Sequence, residues 1–253
     1  MIVFPMAGLS RRFSEAGYTL PKYMLPLAGG TCFDFSVSGF LEPYRSETFV
    51  FVMRDVQGTP QFVEERLRAL GVGDYRLVVL AGPTSGQGET VEKGLEGLAS
   101  GDEELTVFNI DTFRMNVSHP TPEERGDGHL EVFQGSGDGW SFVEPTPDGS
   151  GSVARTTEKV PISDLCCTGL YSFARVSDFR EALGAERRSP TSALGETYIA
   201  PIYNHLIGRG RDIRYSLIRS DDVVFCGVPA EYEALMNNPA PLKPLKPLSR
   251  RET

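Results

Sequence analysis

The sequence predicts an α/β fold, with a mostly parallel sheet flanked by helices, on three observations. Short apolar, β-branched runs alternate with helix-period segments through the first 110 residues. One of those runs delivers an aspartate at its end, and the middle of the chain then switches to a composition suited to antiparallel hairpins.

Taken in order, Ile2 to Met6 reads as a strand followed by a loop bearing glycine and arginine. Thr48 to Met53 (TFVFVM) reads as a buried strand, and Gln61 to Leu70 as a helix with Phe62, Leu67 and Leu70 on related faces. Tyr75 to Ala81 is a third strand, Glu89 to Leu98 a helix, and Leu105 to Ile110 a fourth strand. Residues 117–152 are rich in Gly, Pro, Asp and Ser, with extended pieces at His129 to Phe133 and Trp140 to Val143 and a turn at Asp148 to Gly151. Helical patterns return at Ser177 to Leu183 and Thr197 to Ile207. A last strand, Asp222 to Cys226, precedes a short helix from Ala230 to Met236. Residues 1–236 are expected to form one domain. The Pro- and Lys-rich stretch 237–253 resembles an extended, solvated linker.

Composition narrows the function. The 253 residues are 40% hydrophobic and 23% charged, enough for a sizeable core. The net charge of −9 and the lack of a basic face before the C-terminus argue against nucleic acid as a partner, since that affinity comes from clustered contacts to phosphate. An acidic protein still binds anions where local cations and backbone amides gather. No run of about 20 apolar residues is present to span a membrane, and Met1 to Pro5 lacks the pattern of a signal peptide. The four cysteines, Cys32, Cys166, Cys167 and Cys226, show no CxxC spacing and read as reduced thiols of a cytoplasmic protein. Self-association into a homo-oligomer is left open.

Four blocks carry chemistry. The first is Met6 to Phe13 (MAGLSRRF) followed by Leu20 to Leu27 (LPKYMLPL). A strand running through small residues into a helix lets backbone N–H groups approach phosphate, and the cations just after it neutralise charge. The second is Gly82 to Thr90 (GPTSGQGET), where glycines permit close backbone approach and Gln87 offers a donor and an acceptor. Thr84 or Ser85 serves there equally well as a plain helix cap. The third is Phe108 to Thr112 (FNIDT). Its aspartate stands at the carboxyl end of a strand, where ligands gather in open α/β sheets, and suits Mg²⁺; an Asx turn is the alternative. The fourth is Thr157 to Pro161 (TEKVP) with Cys167 to Phe173 (CTGLYSF).

In this order the blocks resemble the sugar-phosphate nucleotidyltransferase family, whose signature is a small-residue loop, an arginine, then Pro-Lys and Leu-Pro. The resemblance implies a Rossmann-like nucleotide-binding layer with an antiparallel element over the acceptor pocket. It makes Ala7, Gly8 and Ser10 the phosphate loop, with Ser10 where relatives commonly have a second glycine. Arg12 then faces the leaving pyrophosphate and Lys22 the transferred phosphoryl group. Gly86, Gln87 and Gly88 hold the nucleobase, Asp111 binds Mg²⁺, and Glu158, Lys159, Gly169 and Glu196 meet the acceptor. Val160 interrupts the usual Glu-Lys-Pro, and a surface ion pair is the alternative for Glu158 and Lys159. Relatives often supply a second metal carboxylate where this chain has Phe225, leaving Asp221 or Asp222 as substitutes or as a simple turn. Trp140 suits either stacking on a ligand or packing in a hairpin. The implied substrates are a nucleoside triphosphate and a small phosphorylated acceptor, a sugar 1-phosphate above all. A nucleotide-sugar-dependent glycosyltransferase and an inactive nucleotide-binding regulator are the alternatives.

Overall fold

The computed structural model describes residues 1–98, 100–191 and 195–245. In chain order it comprises β1 (Ile2–Pro5), α1 (Arg11–Glu15), a 3-10 turn (Lys22–Met24), β2 (Pro26–Leu27), β3 (Gly30–Thr31), α2 (Cys32–Ser38), β4 (Phe49–Arg54), α3 (Thr59–Leu70), β5 (Tyr75–Leu80), α4 (Gln87–Gly94), β6 (Leu105–Phe108) and β7 (Thr112–Arg114). There follow α5 (Pro122–Arg125), β8 (Gly128–Gln134), β9 (Ser141–Pro145), β10 (Val153–Glu158), β11 (Leu165–Phe173), α6 (Val176–Arg188), α7 (Ile199–Ile207), β12 (Ile213–Ile218), β13 (Val223–Phe225), α8 (Pro229–Asn237) and a 3-10 turn at Ala240–Leu242. The class is the expected mixed α/β, with the parallel strands and flanking helices read from periodicity. Unforeseen were α2, α5, β2, β3, β7, β10 and β12. The chain divides into two compact units.

The first unit comprises Met1–Val3, Thr84–Phe108 and Pro120–Ser220. Its strands run in the order β10-β9-β11-β6-β1, with β8 pairing both β11 and β12. β1 lies parallel to β6, with Ile2 opposite Thr106 and Val3 opposite Val107, whereas β11 is antiparallel to both β6 and β8. This antiparallel layer is the element expected from the Gly- and Pro-rich middle. Helix α7 docks onto it through polar contacts inside an apolar face. The Tyr203 hydroxyl donates to the carbonyls of His129 and Ser172, at 3.2 and 2.8 Å. The Asn204 side chain both donates to and accepts from the Thr156 backbone at 2.9 Å, fixing the end of β10.

The second unit comprises Phe4–Pro83, Asn109–His119 and the chain from Asp221 onward. Here β4 and β5 pair in parallel from Phe49/Tyr75 to Arg54/Leu80. The buried face of β4 is aromatic: Phe4 stacks on Phe51 at 5.0 Å and meets Phe40 edge-on at 5.8 Å. α2 begins with a capping box, in which Asp34 accepts from the Thr31 backbone at 2.7 Å and the Thr31 hydroxyl accepts from Asp34 N–H. Asp34 is fully buried and also accepts from Arg66 at 2.7 Å, so the cap is tied to α3.

The expected solvated tail is corrected over its first half. Leu242 and Leu245 are 2% and 6% exposed and pack with Phe13, Leu25, Phe113 and Tyr232. The Pro-Leu-Lys spacing of three matches the period of a 3-10 turn, which puts both leucines on one side. Residues 246–253 of that stretch lie outside the described residues. No helix among the described residues is long and apolar enough to cross a membrane. Leu242→Ala should therefore lower stability by about 2–5 kcal/mol, measured by urea unfolding. An unchanged midpoint would restore the solvated tail.

Candidate active-site residues

In the second unit, β1 ends at Pro5 and the chain enters the small-residue loop. Arg54 Nε donates to the Ala7 carbonyl at 2.9 Å and pins the loop to the end of β4. Nothing lies within 4 Å of where a Cβ on Gly8 would stand, so the loop backbone is open at that point. Ser10 adopts φ 49°, the left-handed region, and its carbonyl accepts the N–H groups of Phe13 and Ser14 to start α1. This conformation explains why a glycine suits the position. Phe13 anchors α1 in the core, leaving Arg11 and Arg12 exposed on its outer side. A surface pocket beside the loop is lined by Gly8, Leu9, Ser10, Leu20, Tyr23 and Arg54.

Lys22 opens the 3-10 turn after Pro21, and the burial of Tyr23 and Met24 turns its side chain the other way. Its ammonium donates to Asp111 Oδ2 at 2.5 Å, so two predicted residues 89 positions apart meet directly. Both side chains are about one-quarter exposed. Asp111 is held by its main chain: its carbonyl accepts from Cys226 N–H at 2.9 Å, continuing the β7–β13 ladder of Thr112/Phe225, Phe113/Val224 and Arg114/Val223. Beside it lies Gly227, where a Cβ would stand 3.1 Å from Asp111 Oδ2 and 3.8 Å from Glu231 Oε2. Glu231 accepts from the N–H groups of Gly227 and Val228, at 2.7 and 3.2 Å, closing the turn that leads into α8. Gly227 and Glu231 escaped the sequence reading, although a glycine and proline ahead of a helix, with an acid at its third position, is a readable cap.

The same ladder sets the place of Asp222, expected either as a second metal ligand or as a simple turn. Asp222 pairs with Met115, whose N–H donates to its carbonyl at 3.0 Å. Met115 is four positions from Asp111, about 13 Å along a strand. The Asp222 carboxylate accepts instead from Asn116 at 2.8 Å, and its carbonyl also accepts from buried Arg114. Asp221 sits with it in an exposed 3-10 turn. Among the described residues, no three or more His, Cys, Asp or Glu gather as a metal cluster.

In the first unit, the glycines of the second block pack closely against Thr197. A Cβ on Gly86 would stand 2.5 Å from the backbone nitrogen of Thr197, and one on Gly88 would stand 3.0 Å from its Cγ2. The two segments are zipped together: Thr197 N–H donates to Ser85 O at 3.1 Å and Gly88 N–H to Thr197 O at 2.9 Å. Gly86 is the N-cap of α4, with no side-chain cap, and Gln87 is its half-buried first residue. The Thr84 hydroxyl contacts Thr90 Oγ1 at 2.7 Å, and Ser85 N–H donates to Glu89 at 2.6 Å.

Also in this unit, Glu158 closes β10 and is buried, accepting from the Ser141 hydroxyl. Burial holds its carboxyl above the usual range. Lys159 follows at φ 55°, its N–H donating to Trp140 O at 2.8 Å. Its ammonium donates to the Tyr198 hydroxyl at 2.8 Å, which in turn donates to Glu196 Oε2 at 2.9 Å. Two of the four residues expected to meet the acceptor, Lys159 and Glu196, thus meet at Tyr198, a residue the sequence reading passed over. Gly169 stands at φ 97° where the β11–β8 register shifts between Cys167 and Tyr171. Trp140 is a hairpin aromatic, edge-on to Phe133 at 5.2 Å, with its indole N–H donating to Ser136 O.

No protein-family model and no curated protein matches the sequence. Among solved structures, the chain is similar to a nucleoside-diphosphate-sugar pyrophosphorylase from Vibrio cholerae RC9, with 48% identity over 94% of this chain and 100% of that one, at a TM-score of 0.89. A UDP-glucose pyrophosphorylase complexed with UDP-glucose shares the fold at 16% identity and a TM-score of 0.72, covering 93% of this chain and 96% of that one. The inositol-1-phosphate CTP transferase from T. maritima does so at 15% identity and a TM-score of 0.67, covering 93% of each chain.

The left-handed Ser10 gives a test of the loop. Ser10→Val places a β-branched side chain at positive φ and should destabilise the protein by about 1–2 kcal/mol. Ser10→Gly should be neutral or stabilising. Equal melting temperatures for the two variants would show that the loop does not hold this conformation.

Proposed function

We propose a reaction for this chain, which belongs to the sugar-phosphate nucleotidyltransferases: transfer of a nucleoside monophosphate from a nucleoside triphosphate to a small phosphorylated acceptor, a sugar 1-phosphate first among them. A phosphate oxygen of the acceptor attacks the α-phosphorus, the bond to the β-phosphate oxygen breaks, and pyrophosphate leaves. No general base is needed, because a phosphate monoester is already anionic at neutral pH. The observation that carries the reading is the Lys22–Asp111 pair, a cation and a carboxylate partly exposed in the unit that also holds the open Gly8 loop.

Each unit has its part in this scheme. In the second, Ala7, Gly8 and Ser10 present backbone N–H groups to phosphate, Arg12 faces the pyrophosphate, and Lys22 meets the charge growing on the transferred phosphoryl group. Asp111 is an oxygen donor beside a glycine that keeps its carboxylate uncovered, a donor set that fits Mg²⁺ with phosphate oxygens and water as the remaining ligands. Bound there, the ion would neutralise charge on the triphosphate. In the first unit, Gln87 reads the base edge with Gly86 and Gly88 shaping its turn, while Glu158, Lys159 and Glu196 address the acceptor's hydroxyls and phosphate, with Gly169 close by. The cytoplasm is the proposed setting, supported by four buried cysteines without a disulfide among them.

The deciding experiment is a pyrophosphate-release screen. ATP, CTP, GTP, UTP and dTTP are each offered with glucose 1-phosphate, galactose 1-phosphate, mannose 1-phosphate and phosphocholine, with and without MgCl2. Acceptor-dependent release from one triphosphate is expected. Triphosphate binding with no release from any pair would leave a nucleotide-binding protein instead.

With the active pair in hand, Lys22→Ala and Asp111→Asn should each lower kcat by about 10²-fold or more while the protein stays folded. Asp111→Asn should in addition shift the Mg²⁺ titration to higher concentration. Saturated turnover that survives either change removes that residue from the chemistry. Gln87→Ala should alter the preference among triphosphates, by about 1–3 kcal/mol for one buried polar contact, more than the turnover of the best one. Equal weakening of all of them would make Gln87 a structural residue.

A further inference from the structure

We propose that Tyr198 is the positioning residue of the acceptor pocket, its hydroxyl holding the Lys159 ammonium apart from the Glu196 carboxylate so that both stay available to the acceptor. The proposal rests on the reading of Glu158, Lys159 and Glu196 as acceptor-binding residues.

The hydroxyl stands between two opposite charges, accepting from Lys159 Nζ at 2.8 Å and donating to Glu196 Oε2 at 2.9 Å. The ammonium also lies 4.8 Å from the centre of the Tyr198 ring, so both the hydroxyl and the π-face fix it. A lysine has a long, flexible stem, and without such a hold it would meet a nearby carboxylate directly. Such a salt bridge would remove from the pocket one phosphate-binding cation and one hydroxyl-binding acceptor at once. The Tyr198 hydroxyl uses its donor on Glu196 and a lone pair on Lys159, leaving two of the ammonium's three donors for an incoming phosphate. The hydrogen bond to Tyr198 is also the main cause that raises the Lys159 pKa, keeping it charged.

The backbone at both ends of this contact is constrained. Lys159 is set at φ 55° by its N–H bond to Trp140 O, where a non-glycine residue is strained. Tyr198 directly follows Thr197, which is zipped to Ser85 and Gly88, and it is the N-cap of α7. The ring therefore reaches Lys159 from a fixed platform. A residue needed only to start α7 would have no use for the hydroxyl, because the Tyr198 side chain makes no cap hydrogen bond.

The test compares Tyr198→Phe with Lys159→Met, using the fastest triphosphate and sugar 1-phosphate of the screen. Tyr198→Phe retains the ring and should raise the acceptor KM about tenfold, leave the triphosphate KM unchanged and lower kcat less than threefold. In the Lys159→Met background, the second change should add nothing. NMR titration of the Lys159 amine, which needs no acceptor, should give a lower midpoint in Tyr198→Phe than in the parent. An unchanged Lys159 midpoint, an unchanged acceptor KM, or equal rises in both KM values would overturn the positioning role. If Lys159→Met itself leaves the acceptor KM unaltered, the acceptor reading fails, and the proposal with it.

Discussion

The constraint on which the placing of Asp111, and with it the Lys22–Asp111 contact, depends is the short antiparallel ladder between β7 and β13. It is only three pairs long, yet its register decides the position of every carboxylate near the proposed metal site. Because Phe225 lies opposite Thr112, Cys226 N–H reaches the Asp111 carbonyl and Gly227 comes to rest against the Asp111 side chain. Arg114, fully enclosed, spends its donors on the carbonyls of Met115 and Asp222 and locks the far end of the ladder. A shift of one residue would exchange the faces of both strands and replace Gly227 with a side chain beside Asp111. Glu231 completes the device by capping the Gly227–Val228 turn, so the glycine cannot swing away.

The first unit solves a different problem by a similar device. The Ser85–Gly88 turn and the Glu196–Tyr198 segment belong to separate stretches of chain, joined by two backbone hydrogen bonds at Thr197 and by the close approach of Gly86. Side chains at the positions of Gly86 or Gly88 would push the two stretches apart. The glycines thus fix where Glu196 and Tyr198 stand, as well as the start of α4.

What could be read in the sequence follows from how local each signal is. The parallel strands and their helices were legible because β4 and α3 carry their periods within a dozen residues. Lys22 and Asp111 were legible because each sits at a fixed place relative to its own strand or turn. The contact between them needed the fold, since 89 residues separate them. Asp222 stayed open between metal ligand and simple turn because strand register cannot be seen in composition, and an acid near a strand start looks the same whichever residue it faces. Tyr198 was passed over because a tyrosine at a helix start reads as packing until its hydroxyl partners are known. Leu242 and Leu245 were hidden by the prolines and lysines around them, although their spacing matched the turn they adopt.

The charge balance of the second unit closes the argument. A chain of net charge −9 that handles a triphosphate has to avoid repelling it. Asp111 alone would present a negative charge where phosphate is to bind, and Lys22 alone would be a strongly hydrated cation on a flexible stem. Joined at 2.5 Å, the two are neutral as a pair, and each holds the other in place. Because both are partly exposed, solvent screens the pair and it adds little to stability. That small contribution is an advantage at this position, because a weakly held ammonium can move to a phosphate oxygen as charge builds there. A deeply buried pair would resist the exchange, since separating the two charges away from water is strongly unfavourable. The partly exposed position of Lys22 and Asp111 therefore suits the exchange of ionic partners proposed for this pair during turnover.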